Sequence, residues 1–229
     1  MRHIIEEHDR ALLGVARTLT DSDWRRPSLC DGWANRDVLA HLVLGARFPL
    51  GDLAVTMARE GSFDRASDVM ARRLSAATPT LALLDELERH MDRLPLRTRL
   101  LFPPRFLLGD RLVHHLDIVL ALGREPHVPA EAASNVLRTQ VTVPNPLVPA
   151  RRNARGLRLE ATDVDWSHGP AGAPLVRGSA ARLVSVLAGR PRALADLRGD
   201  GVDALGARVA PATGGPVGSG SDQATSAET

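Results

Sequence analysis

The stretch DRLVHHLD, Asp110 to Asp117, sets a group of ionisable side chains into an otherwise apolar segment. Asp110 and His114 stand four apart, and Asp117 follows three residues later. At about 100° per residue, these three fall within a narrow arc of one helix, while His115 points well away from it. A carboxylate and an imidazole at i and i+4 can hold one divalent ion from a single helix. Two ligands do not complete a site, so a third has to come from another element. His41, in GWANRDVLAHLV, is the best donor. It follows a capped helix start and lies at the edge of an apolar stripe, near Val38 and Gly45; Gly45, one turn on, leaves space beside the ring.

Two His and one carboxylate leave coordination positions open. That is the catalytic form of a metal site, either zinc or a non-haem iron triad. A closed structural zinc site takes four protein ligands and usually sulfur; the single cysteine, Cys30, excludes a Cys-rich one. Asp117 is spaced to accept a hydrogen bond from a ligand imidazole and fix its tautomer. A plainer alternative stands beside each feature. Asp110 and His114 can form an ordinary helix-surface pair, His41 can be a satisfied, half-buried histidine, and Asp117 can pair with Arg111 or Arg124. Cys30 in PSLCDGW reads as a lone buried cysteine rather than a reactive thiol. His3, His8, His90, His127 and His168 have no supporting context.

The elements that must position these groups are mostly helical in the first half of the chain. Ile4, Ile5, Leu12, Val15 and Leu19 recur at helical spacing, and TDSDW then supplies a break with capping residues. Asn35 is the expected N-cap of the His41 helix, with Asp37 in its first turn. Pro49 ends or kinks that helix, and a further helical stretch runs to Arg59. Others are expected from about Arg65 to Ala77, over TLALLDELERHMDRL, and from Phe106 to Leu122, where Gly123 is placed to stop the last. Four main helices with short connections suggest an antiparallel bundle.

After Gly123 the pattern changes. PHVPAEAASNVLRTQVTVPNPLVP is Pro-rich and opens a second unit. GLRLEATDVDW alternates apolar and polar residues, a strand signal; SHGPAGAP reads as a hairpin loop and LVRG as a short returning strand. SAARLVSVLAGR reads as a helix with Ser179 as N-cap and Gly189 as stop. The expected organisation is a helical bundle over residues 1–125, a small α+β unit over 126–208, and a disordered tail over 209–229, where Gly, Ser, Pro, Ala and Thr leave almost nothing to bury.

Hydrophobic residues make up 44% of the 229-residue chain, so a sizeable core can form, and at 3% aromatic content that core has to be mainly Leu, Val and Ala. Every basic residue is Arg, the formal net charge is +2, and no basic run is interleaved with aromatics, so the composition speaks against a nucleic-acid partner. The N-terminus carries acids where a signal peptide needs a positive and then an apolar region, and no apolar run reaches the length of a membrane span. The expectation is a soluble cytoplasmic protein, monomer or homodimer.

DWRRPSLCDGWANRDVLAHLV closely resembles the N-terminal signature of the mycothiol-dependent maleylpyruvate isomerase family, one of the DinB-like bundles. GDRLVHHLDI is similar to that family's second metal motif. GLRLEATDVDWSHGP, with the VRGSAARLVSVLAGRPRALADLRGDGVDAL that follows, resembles its C-terminal domain. The resemblance covers the chain up to about Leu205. It implies a DinB-like four-helix metal-binding bundle followed by a small, sterol-carrier-like α+β domain. It further implies a divalent metal, usually zinc, held by His41, Asp110 and His114. The isomerase has Glu where this chain has Asp110, one methylene shorter. The resemblance also supplies mycothiol, the low-molecular-weight thiol of actinobacteria, as cofactor or co-substrate. The expected chemistry is addition of a metal-bound thiolate to a small electrophilic substrate, by isomerisation or S-conjugation. An Arg of the C-terminal domain, such as Arg177 or Arg190, would hold a substrate carboxylate. Two readings compete: a metal-assisted hydrolase on the same bundle, or a non-catalytic small-molecule-binding protein with a vestigial metal site.

Overall fold

The computed structural model describes residues 1–91, 103–145 and 148–210. Residues 92–94 of the expected fifth helical stretch, and all but the first two residues of the expected tail, lie outside them. The N-terminal part comprises α1 (Arg2–Ala16), α2 (Asp21–Arg25), α3 (Asn35–Arg47), α4 (Leu50–Glu60), α5 (Phe63–Ala77), α6 (Thr80–Met91) and α7 (Pro104–Val119). The rest is α8 (Ala130–Thr142), α9 (Ala150–Ala154), β1 (Arg158–Ala161), β2 (Ser167–His168), β3 (Leu175–Gly178), α10 (Ala180–Leu187), a 3-10 turn (Pro191–Asp196) and α11 (Val202–Val209). A helical bundle thus precedes a small α+β unit, as the sequence pattern implied. Among the described residues, no helix is long and apolar enough to cross a membrane.

Local chemistry accounts for the helix that carries His41. Its N-cap is Ala34, not Asn35. The cap box is half-made: the Asp37 carboxylate accepts the Ala34 backbone N–H at 2.9 Å, which also places a negative charge at the positive helix end. Asn35 is the first helical residue, and its side-chain amide donates to the Asp23 carbonyl at 2.9 Å. Downstream, Val38, Leu39, Leu42, Val43 and Ala46 bury one face. The helix ends where Phe48 turns left-handed (φ 47°) ahead of Pro49, whose ring disfavours a helical residue before it. α3 packs on α5 and α6, and α7 packs on α3, α1 and α8.

α7 is buried on most sides and stands between two apolar clusters. Leu108, Leu112 and Leu116 join Ile4 and Ile5 of α1 to Val136 and Leu137 of α8, Leu183 and Leu187 of α10, and Leu159 and Val176 of the sheet. Ile118 faces the other way, into a cluster of Leu12, Trp24, Val38, Leu39, Leu83 and Leu87. Each fully buried Leu contributes about 1.5–3 kcal/mol of transfer free energy. The first cluster therefore crosses residue 125 without a break.

One feature of the second unit goes beyond the sequence pattern and another differs from expectation. The Pro-rich opening contains α8, whose Ala132, Ala133, Val136, Leu137 and Val141 bury a helical stripe. The Pro residues merely bracket it. The sheet is also not a simple hairpin. β2 pairs antiparallel with β1 (Leu159 opposite His168), and β3 pairs parallel with β1 on its other edge (Leu159 opposite Val176), in the order β2-β1-β3. The Ser167–His168 stretch, read as part of a loop, is the strand that reverses direction, so the LVRG strand returns parallel. Ser179 does cap α10, accepting from the Arg182 N–H, and Gly189 past its end is left-handed at φ 91°.

Candidate metal centre

α3 and α7 face each other so that His41, Asp110 and His114 converge. The candidate ligand atoms of the three lie within 4.8 Å of one another. Asp110 Oδ1 is 3.7 Å from His41 Nε2 and 3.6 Å from His114 Nε2. Ligands at about 2.0–2.2 Å from one tetrahedral ion stand about 3.4 Å apart, so the spacing is nearly that of a loaded site. The two imidazoles meet edge to face with centroids 4.6 Å apart. His41 and His114 are largely covered, whereas Asp110 is 44% exposed at the mouth. A Cβ built on Gly45 would stand 3.9 Å from Asp110 Oδ2, an ordinary contact.

The outer nitrogen of each ring is occupied. Ser67 Oγ, on α5, lies 3.0 Å from His41 Nδ1. Asp117 Oδ2 lies 3.0 Å from His114 Nδ1, and a carboxylate there can only accept, so His114 carries its proton on Nδ1. The His114 Nε2 lone pair is then left for the space beside Asp110, the arrangement that suits an imidazole to hold a metal, while the Ser67 hydroxyl can either donate to His41 Nδ1 or accept from it. Donor type, spacing and the His114 tautomer fit a divalent ion.

Asp117 is fully buried and pairs with neither Arg111 nor Arg124. Its partner is Arg190, which follows α10: Arg190 Nε donates to Oδ1 at 2.9 Å and Nη2 to Oδ2 at 2.8 Å. Arg111 instead pairs with Asp9, and Arg124 with Asp23. Burial pushes the Asp117 carboxyl up, but the Arg190 guanidinium more than offsets this and keeps it below the ordinary carboxylate range. At Asp110, crowding also pushes up, yet the His41 ring and the charges of His114 and Arg111 win and hold the group at about 2. Arg190 is thereby committed to Asp117. Of the two arginines expected to hold substrate, the other, Arg177, is exposed, its backbone bridging Arg198.

A tight loop roofs the site. Within Pro27–Ala34, Ser28 N–H donates to Trp33 O at 2.8 Å, and Leu29 N–H donates to the Asp117 carbonyl at 3.0 Å. Gly32 sits at φ 74°, and its carbonyl accepts from Arg72 Nη2 at 2.7 Å. Trp33 Nε1–H donates to Asp68 at 2.6 Å. That bond aims the indole over the candidate ligands, its ring 5.3 Å from His41 and 6.4 Å from His114. Cys30, half-buried, points its Sγ at Arg190 Nη2, 3.7 Å away, and within 4.8 Å of ligand atoms on His114 and Asp117. Burial, reinforced by Asp117, pushes its thiol up to about 11. Beside the loop lies a cleft of about 530 Å³ lined by Arg25, Cys30, Asp31, Trp33, Arg190 and Arg192, among others.

Residues 5–106 match the family described as Mycothiol maleylpyruvate isomerase N-terminal domain. That segment, a little under half of the chain, is similar to the N-terminal domain of the mycothiol maleylpyruvate isomerase family. The matched segment includes His41, Ser67 and the Trp33 loop, and it stops just short of Asp110, so the α7 half of the site rests on the geometry above. No protein of curated function matches the chain in sequence. Two solved structures align with it. The crystal structure of the mycothiol-dependent maleylpyruvate isomerase aligns at 16% identity and a TM-score of 0.50, over 82% of this chain and 88% of that one. A histidine-to-alanine mutant of it aligns at 15% identity and a TM-score of 0.48, over the same shares. The bundle and the α+β unit thus occur together in an isomerase fold.

Sequence reasoning placed His41, Asp110, His114 and Asp117 in one neighbourhood, and the structure brings all four together. It missed Ser67, and it offered Arg190 only as one of two substrate arginines. No local spacing ties Ser67 to His41 or Arg190 to Asp117; both pairings arise from helix packing. Trp33 was legible only as part of the family signature.

Proposed function

We propose that this chain is a metal-dependent, mycothiol-using enzyme acting on a small electrophilic substrate, by isomerisation or S-conjugation. The observation that carries this reading is the convergence of His41, Asp110 and His114 with both outer ring nitrogens already engaged, inside a fold shared with the isomerase. Zinc suits the two-imidazole, one-carboxylate donor set. When bound, the ion supplies a positive charge that favours a thiolate and an open position to receive it. The residues of the chain do the rest. Asp117 keeps the His114 proton on Nδ1, Ser67 steadies His41, and Trp33 keeps water from one side. Arg25 and Arg192 line the adjacent cleft, and neither has an ion-pair partner among the described residues. They are free to receive a substrate carboxylate through charge-assisted hydrogen bonds. Cys30, with its raised thiol, is poorly suited to serve as the nucleophile itself.

The test uses protein prepared without an affinity tag. Close to one zinc per chain is expected, lost in His41→Ala and in His114→Ala, together with turnover of an electrophile such as a maleyl or quinoid acid that requires mycothiol. Full metal retention in both variants would refute the ligand assignment. Turnover without the thiol would favour hydrolysis, and stoichiometric metal with no turnover would favour a binding protein.

A further inference from the structure

A second polar group lies behind the site, buried between α1 and α7. Arg111 and His115 are the residues that immediately follow Asp110 and His114, so they project from α7 about 100° round from the ligand face. They are 2% and 0% exposed. Each meets a partner on α1: Arg111 Nη1 donates to Asp9 Oδ2, and His115 Nδ1 lies 3.4 Å from His8 Nε2, the rings 5.4 Å apart. His8 and Asp9 are 0% and 6% exposed, with His8 Nδ1 3.8 Å from Asp9 Oδ1. On α1 they interrupt the stripe of Ile4, Ile5, Leu12 and Ala16; on α7 their partners lie among Leu108, Leu112 and Leu116. An apolar interface would tolerate apolar residues at all four positions. His8 Nδ1, Asp9 Oδ1, Arg111 Nη2 and His115 Nε2 are buried without a hydrogen-bond partner, so the arrangement is not optimised for stability. Buried polar pairs of this kind are best attested as devices that fix one register among several apolar packings.

We infer that the Asp9–Arg111 and His8–His115 contacts set the rotation of α7 about its axis, and so act as positioning residues that hold Asp110 and His114 towards His41. The geometry makes rotation matter. Side-chain atoms stand about 5–6 Å from a helix axis, so a turn of about 10° carries one by about 1 Å. Ligand distances in a metal site hold to within about 0.2 Å. Leucine ridges tolerate small slides; an ion pair and a ring contact one helical turn apart do not. This inference rests on the proposed metal role of His41, Asp110 and His114.

The test replaces the pairs with apolar residues of similar size, as Asp9→Leu/Arg111→Met and as His8→Leu/His115→Leu. Zinc affinity of the apo protein is read by competition with a chromophoric chelator, well below the unfolding temperature, and crystal structures of the variants show the α7 rotation. The expected result is an unfolding temperature equal to or above that of the wild type, a tenfold or greater loss of zinc affinity, and a displaced Asp110–His114 pair. Should the apolar variants fail to fold, Asp9→Asn/Arg111→Gln keeps volume and hydrogen bonding while removing the ion pair, and the same loss of affinity is expected. Affinity within twofold of wild type with α7 unmoved overturns the inference. If the wild type itself binds no zinc, the metal reading fails, and the rotation of α7 in the variant crystals still decides this one.

Discussion

Replacing Asp117 with Asn separates the two roles the carboxylate plays. Fully buried, it accepts two hydrogen bonds from Arg190 and one from His114. The amide is nearly isosteric but carries no charge, and one of its two polar atoms is a donor. With its NH2 at the Oδ2 position the amide faces His114 Nδ1 with a donor and forces the ring proton onto Nε2, the atom proposed to coordinate; with its oxygen there it keeps that bond and turns its NH2 on Arg190 Nε instead. Loss of such an orienting partner lowers metal affinity by about 10–100-fold, or about 1.4–2.7 kcal/mol. Breaking a buried ion pair also costs about 3–5 kcal/mol of stability. The Arg190 side chain keeps 19% of its surface exposed, so the lower end, about 3 kcal/mol, applies. For a chain of this length, 1 kcal/mol shifts Tm by about 2–4 °C, giving a fall of about 6–12 °C. Chelator competition on the apo protein reads the first quantity and calorimetry the second. A variant that melts early yet binds zinc within twofold of wild type would show that Asp117 serves the fold alone, and the tautomer argument would be wrong.

Two further outcomes follow from the titrating groups. Burial, with the charges of His8 and His127, pushes His115 down to about 3, so the unfolded chain binds one more proton than the folded chain between that value and the ordinary histidine range. His115 therefore adds stability above about pH 6.5 that is lost as pH falls towards 3, at about 1.4 kcal/mol per pH unit; His115→Leu should flatten the fall in melting temperature between pH 6 and 4 relative to wild type, and parallel curves refute the assignment. With its thiol at about 11 rather than 9, Cys30 has about a hundredfold smaller thiolate population near pH 8, so iodoacetamide should label the native protein about a hundredfold more slowly than the unfolded chain; comparable rates would contradict the burial argument.

What was readable in the chain was whatever lay on one helix or at its ends. Asp110, His114 and Asp117 announce themselves through helical spacing, and Gly189 and Ser179 through cap chemistry. The position of α8 was readable too, in the stripe from Ala132 to Val141, although Pro126, Pro129 and Pro144 around it are the segment's more conspicuous residues. Asn35 is chemically the better cap than Ala34, yet packing turned its amide towards the Asp23 carbonyl and left capping to Asp37. The parallel return of β3 was hidden because a two-residue strand is too short for any alternation. Arg190 was hidden most thoroughly. Its bond to Asp117 spans 73 residues, and nothing near either residue names the other.

That bond has a consequence for anyone who would treat the helical part as a portable cassette. The carboxylate that orients His114 is neutralised by a guanidinium delivered from the far side of the chain, and the leucines of α7 lean on that same far side. Severed after Glu125, the bundle would keep the three proposed ligands on paper while its innermost acid lost its counter-charge. The second unit is thus the bundle's missing wall, and whatever chemistry the proposed site performs would be a property of both together.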